Sequence, residues 1–326
     1  MVVIGGGTGT YTVLRGLKEY SDLEISAVVT MADDGGSNKI LRDEFGLLPT
    51  SGIRQCMVAL SENEGLLRQL FSYRYYQGVG IAGMTFGNLF MAAVSDVLGS
   101  QREAIKETAR LLGVRGKILP VSYDQVSLLA TYVDGTEMLG EHLIDESDAK
   151  VGKQRITQFR TIPKTTIDSE AAKAIKQADL IVLGPGDLYT NTMANLVVPG
   201  VSEAIMKSRG KLVFVMNLMT KKGESYGYSA SMYLEDMQTY LPLSRFDYVI
   251  MNTDQHINQK LLVAYKLEGA EIVRDDLVDG SYHVVRAKLL SHTKIVLEKG
   301  DNVIRSMVRH DSKKLAKELV KLLMLK

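Results

Sequence analysis

The chain has 326 residues, 45% hydrophobic and 24% charged, with a formal net charge of +1 from 39 basic and 38 acidic side chains. That length suits a large α/β domain with a full core, and the even charge gives no reason to expect a nucleic acid or an anionic membrane as partner. Cys56 is the only cysteine, which excludes an intrachain disulfide and a thiolate zinc cage and makes the reducing cytoplasm the expected compartment.

An apolar strand begins at Val2, so no secretory leader is expected. Glycines follow it, then a helix with Val13, Leu14 and Leu17 on one face, then a second buried strand at 25–31. That order is a βαβ unit and implies parallel strands. Helices are expected over 52–63 and 65–75, and a core helix over Thr85–Leu98. The most apolar stretch, 79–99, is interrupted by Gly, Asn, Ser and Asp and reads as a buried helix rather than a membrane span. Residues 115–165 alternate around the Asp134-Gly135 turn signal and read as an antiparallel insertion. Strands and helices then alternate again: helix 169–178, strand 179–184, helix 201–208, strand 211–217, helix 230–241, strand 246–252 and helix 258–269. An amphipathic helix capped by Asp311 or Ser312 closes the chain. The expected fold is a single α/β domain over 1–326, a doubly wound, mostly parallel Rossmann-like sheet carrying that insertion.

Four strand ends carry polar, glycine-bearing loops. "GGGTG" at 5–9 joins a strand to a helix N-terminus, where free N–H groups and a partial positive charge favour a phosphate. Thr10 replaces the third glycine of the dinucleotide fingerprint, so a plain tight turn remains the alternative. In "ADDGGSN", Asp33 and Asp34 suit Mg²⁺ or a ribose and Gly35-Gly36 an anion nest, or the whole is a solvated turn. "GPGDLYTN" at 184–191 is a third such loop, with Asp187 or Thr190 as an alternative helix cap, and "VMNLMTKKGES" at 215–225 is the fourth. Open α/β sheets bind ligands at their carboxyl edge, and four such loops on one edge point to a phosphorylated ligand. Cys56, with apolar neighbours and no histidine nearby, reads as a small buried hydrophobe. The five histidines show no metal-ligand spacing.

These stretches, with "FGNLFMAAV" at 86–94, "GYSASMYLEDM" at 227–237 and "VRHDSKKLA" at 308–316, resemble the gluconeogenesis factor family of bacteria (YvcK-type) over nearly the whole chain. More distantly they are similar to the 2-phospho-L-lactate transferases of deazaflavin coenzyme synthesis. The nearer resemblance implies a regulator that binds UDP-sugars, notably UDP-N-acetylglucosamine, supports cell-wall synthesis and cell shape on gluconeogenic carbon sources, and has no established reaction. The distant one implies a Mg²⁺-dependent transferase with a nucleotide-linked donor. An NAD(P)-dependent oxidoreductase ranks last, since only the glycine turn speaks for it.

For a UDP-sugar, Gly6, Gly7, Thr8 and Gly9 are the expected diphosphate cradle, with Asp33, Asp34 and Ser37 near ribose, metal or phosphate. Asn217 and Thr220 extend the floor, and Gly184, Gly186 and Asp187 form the opposite rim. Tyr265 is the candidate base shelf, against a plain packing role for the ring. Asn88 either faces the ligand or ties loops together. The resemblance favours Arg309 over Arg305 for the diphosphate, a contact suited to a planar, permanently charged fork. Expected partners are the UDP-sugar and regulatory proteins. A homodimer is the expected assembly, through the C-terminal helix or the 115–165 insertion.

Overall fold

A computed structural model describes residues 1–325 apart from 64, 149 and 294–306, and apart from the side chain of residue 37. In chain order the first half comprises β1 Val2–Gly5, α1 Gly7–Leu17, β2 Ser26–Val29, α2 Gly36–Phe45, α3 Ser51–Leu60, α4 Leu66–Ser72, α5 Phe86–Leu98, α6 Gln101–Leu111, β3 Lys117–Pro120, β4 Ser127–Tyr132, β5 Glu137–Leu139, α7 Glu141–Asp145 and β6 Ile156–Ile162. The second half runs α8 Ser169–Gln177, β7 Leu180–Leu183, a π-helical turn Leu188–Met193 continued by α9 Ala194–Leu196, α10 Val201–Lys207, β8 Lys211–Val215, α11 Ala230–Met237, β9 Tyr248–Asn252, α12 Gln259–Leu267, β10 His283–Ala287 and α13 Ser312–Met324.

Seven strands form one sheet in the order β10-β9-β8-β7-β1-β2-β3, and every pairing in it is parallel. Its central strands are buried on both faces, which is why Val2–Ile4, Leu180–Leu183 and Leu212–Val215 read as unbroken apolar runs. Alternate residues divide between two cores. Val2, Ile4, Ile181 and Leu183 face α8, α10, α11 and the small sheet; Val3, Leu180 and Val182 face α1, α3 and α13. The expected doubly wound α/β fold is what the chain adopts.

The antiparallel sheet, in the order β5-β4-β6, turns at Asp134-Gly135 as expected but is confined to 127–162. Lys117–Pro120, read as part of the insertion, instead pairs parallel with β2 as an edge strand of the main sheet. The small sheet packs Leu128, Ala130, Tyr132 and Phe159 into one core. A buried carboxylate ties it down: Asp236 accepts hydrogen bonds from Tyr189 Oη at 2.6 Å, Tyr228 Oη at 2.7 Å and Arg155 Nε at 2.9 Å.

The expected core helix Thr85–Leu98 forms as α5, with Thr85 as its N-cap and Met91 and Ala92 buried, while its Val97 is 81% exposed. Two other expectations change. Helix α2 starts inside "DDGGSN", with Gly35 as its N-cap, so the glycines there open a helix instead of lining a nest. The apolar face of α13 (Leu315, Ala316, Leu319, Leu322) is buried within this chain and packs with Leu14 and Leu17 of α1 in one core. That face is therefore taken up inside the chain and is not a dimer surface. No helix among the described residues is long and apolar enough to cross a membrane.

Helices α1 and α13 approach closely at Gly16, where a β-carbon would lie 1.9 Å from the Ser312 carbonyl oxygen. Gly16→Ala should push the helices apart and lower unfolding stability by about 1–3 kcal/mol, read by urea denaturation; a wild-type midpoint would show that α13 is not held there.

Candidate functional site

Strand order reverses between β1 and β7. The chain leaving β1 goes to α1 on one face, and the chain leaving β7 goes through the π-helical turn to α10 on the other. Such a divergence opens a crevice at the carboxyl ends of the two strands. A cavity of ≈ 270 Å³ lies there, lined by Gly6–Gly9 and Thr12 from the first loop and by Pro185–Asp187 and Asn191 from the second. Asn217–Met219 and Lys221 follow β8, Asp145 comes from α7, and Val308–His310 precede α13.

The first two loops interlock through glycine. A β-carbon at Gly9 would stand 2.0 Å from the Pro185 carbonyl oxygen, and one at Gly6 would stand 2.5 Å from Asn191 Oδ1. Gly7 has φ +62°, a left-handed conformation natural to glycine. No side chain caps α1, so its first N–H groups remain at the cavity wall. The glycines thus serve loop–loop contact as well as the open helix end.

Lys221 gathers three acids, of which Asp145 and Asp187 line the cavity. Its Nζ contacts Asp145, lies 2.6 Å from Asp187 Oδ2 and 3.6 Å from Glu224 Oε1. Glu224 is buried and accepts from Tyr189 N at 2.7 Å and Thr190 Oγ1 at 2.7 Å, so a residue of the next loop caps the π-helical turn. Asp187 makes no side-chain cap bond to it; the carboxylate turns instead to Lys221 and to Asn191 Nδ2.

The Val308–His310 segment is held by Tyr265, whose buried hydroxyl accepts from Val308 N at 3.1 Å, and by Ser291 N donating to the Arg309 carbonyl at 2.9 Å. Tyr265 is thus a strut beneath the cavity wall. Burial pushes the His310 imidazole down to about 4, leaving it neutral at pH 7.

Of the expected ligand residues, Gly6, Gly7, Thr8, Gly9, Gly186, Asp187, Asn217 and Arg309 meet in this cavity. The others stand outside its lining. Asn88 is fully buried and accepts from Arg54 Nε and donates to Ser51 Oγ, each at 3.0 Å, which ties helices together. Thr220 pairs with Glu271 through its N–H at 2.7 Å and its Oγ1 at 2.9 Å. Gly184 follows β7, its N–H donating to the Ile4 carbonyl. Arg305 lies outside the described residues, as does the side chain of Ser37.

Asp33 and Asp34 sit beside α7. Asp33 Oδ1 accepts from Gly35 N at 3.0 Å, and Asp34 Oδ1 from His142 N at 2.9 Å. Burial raises the Asp33 carboxyl, and burial together with Asp33 pushes Glu141 up to about 8. Among the described residues, the carboxylates grouped closely enough to share an ion are Asp145, Asp187 and Glu224, within 4.8 Å of one another. Asp33 and Asp34, the expected metal ligands, are not in that group. Three oxygen donors suit Mg²⁺, but the Lys221 ammonium already lies against them. Cys56 is buried and its thiol is pushed up to about 12, as an inert hydrophobe should be.

The sequence profile described as 2-phospho-L-lactate transferase CofD matches residues 1–290. The chain belongs to the CofD family. Within it, a putative gluconeogenesis factor of Thermotoga maritima is 38% identical, covering 97% of this chain and 96% of that protein. The gluconeogenesis factor of Bacillus subtilis is 34% identical, covering 99% and 98%. A crystal structure of a UPF0052-family protein from Bacillus halodurans superposes with a TM-score of 0.86 at 34% identity, covering 98% of this chain and 97% of that one.

Lys221, Asn191, Glu224, Asp145 and His310 are not among the ligand residues expected from the sequence. Lys221 and Glu224 had a signal, since both lie in the polar loop after β8. Asp145 had none, because only the packing of α7 over the sheet edge brings it there.

His310 should make stability fall in acid. Its folded value lies below the usual 6.5, so the unfolded chain takes up a proton first. Stability is full above pH 6.5 and falls by about 3 kcal/mol as pH drops to 4. His310→Gln should flatten that interval of the pH–stability curve; an unchanged curve would refute the assignment.

Proposed function

We propose that this protein is a UDP-sugar-binding regulator, with UDP-N-acetylglucosamine as the leading ligand, acting in gluconeogenic growth and cell-wall synthesis in the cytoplasm. The observation that carries this is the uncapped N-terminus of α1 opening into the β1/β7 crevice, with Arg309 on the same cavity. Backbone N–H groups at a helix start and a guanidinium are complementary to a diphosphate. The relatives named gluconeogenesis factors support the physiological setting. A regulator also needs an output, and protein partners and a homodimer belong to this reading.

A Mg²⁺-dependent transferase is the second reading, favoured by the family description and by the Asp145–Asp187–Glu224 group. There the ion would be held by those three carboxylates and would neutralise phosphate charge, once Lys221 moved off them.

Calorimetry with UDP-N-acetylglucosamine, with and without Mg²⁺, followed by product analysis, separates the two. Regulation predicts binding without turnover or metal dependence. Arg309→Ala should weaken binding about 10- to 100-fold, the worth of a charged hydrogen bond, and Thr8→Val should weaken it less. Wild-type affinity in both variants, or product formation, would overturn the regulator reading.

A further inference from the structure

Two polar atoms of the cavity residues have no hydrogen-bond partner among the described residues: Oδ1 of Asn217 and Nε2 of His310. The Asn217 amide is oriented by its Nδ2, which donates to the Gly186 carbonyl at 2.7 Å. Its Oδ1 is therefore an acceptor left over. His310 is 7% exposed, so its ring cannot exchange the missing bond for bulk water.

Buried polar groups are nearly always paired, so two orphans on residues that line one cavity point to a ligand that completes the bonding. The chemistry of Asn217 Oδ1 narrows that ligand. An amide oxygen only accepts, and it repels phosphate oxygens, which are acceptors too. It suits a donor such as a hydroxyl or an amide N–H. A neutral imidazole can serve the same kind of group, donating to it or accepting from it. Asp187, on the same cavity, adds carboxylate acceptors that disfavour a ligand consisting of phosphate alone.

We propose that Asn217 and His310 read the hydroxyl- or amide-bearing sugar of the ligand, so that the cleft selects a nucleoside diphosphate sugar over the bare nucleoside diphosphate. This rests on the sugar-nucleotide reading above and assigns its specificity. The α1 N-terminus and Arg309 hold what the two ligands share; Asn217 and His310 hold what only the sugar form offers.

The test is calorimetry of the full chain with UDP, UDP-glucose and UDP-N-acetylglucosamine. Wild type should bind a sugar form about tenfold or more tightly than UDP. Asn217→Ala and His310→Leu should each reduce that preference to about twofold or less. His310→Gln, which keeps a polar atom in the wall, should retain the preference. Thermal melting checks that each variant folds; should Asn217→Ala not fold, wild-type selectivity and the His310 pair decide. Equal wild-type affinity for UDP and its sugars overturns the proposal, as does equal weakening of both ligand types by the variants, and in either case UDP binding still stands. Failure of wild type to bind any of the three sinks the sugar-nucleotide reading itself, and this inference with it.

Discussion

Two parallel strands, β1 and β7, lie side by side and send their chains to opposite faces of the sheet. Backbone leaving adjacent strands in opposite directions cannot fill the space between the exits, so a crevice follows from topology before any side chain is chosen. Every group in the candidate site is placed by reference to that gap. The α1 N-terminus forms one wall, the Pro185–Asp187 loop the other, and β8 delivers Asn217 and Lys221 beside them.

The gap is kept narrow by glycine and closed over by α7. Gly9 and Gly6 let the two exits touch backbone to backbone and backbone to side chain. The small sheet carries α7 to the carboxyl edge, where Asp145 pairs with Lys221 and the His142 N–H bonds Asp34. Gly223 N donates to the Gly152 carbonyl at 2.7 Å, and Tyr132 Oη to the Gly223 carbonyl at 3.1 Å, fixing the β8 loop against the insertion. A carboxylate-rich cavity is thereby held together by one ammonium. That arrangement leaves the charge pattern of the site sensitive to whatever draws Lys221 away.

The winding pattern was readable because its causes are local. Unbroken apolar runs at Val2–Ile4 and Leu180–Leu183 announce strands buried on both faces, and period 3.6 in α1 and α13 announces helices with one apolar side. Helices α2 and α6 and strand β10 were missed. In α2 the Gly-Gly-Ser start looks like a turn, and β10 has no fully buried residue and weak apolar contrast.

What the amino-acid sequence determined by itself was therefore the parallel α/β architecture and the glycine and acid loops at strand ends, both short-range patterns, whereas Arg309 was singled out by the family resemblance. Tertiary structure alone decided which loops share the crevice. Asp33 and Asp34 go to α7, Asn88 to Arg54, and Tyr265 beneath Val308, while Asp145 and His310 enter the cavity. The reason is distance along the chain: those contacts join residues brought together by strand order and helix packing, which no local spacing records.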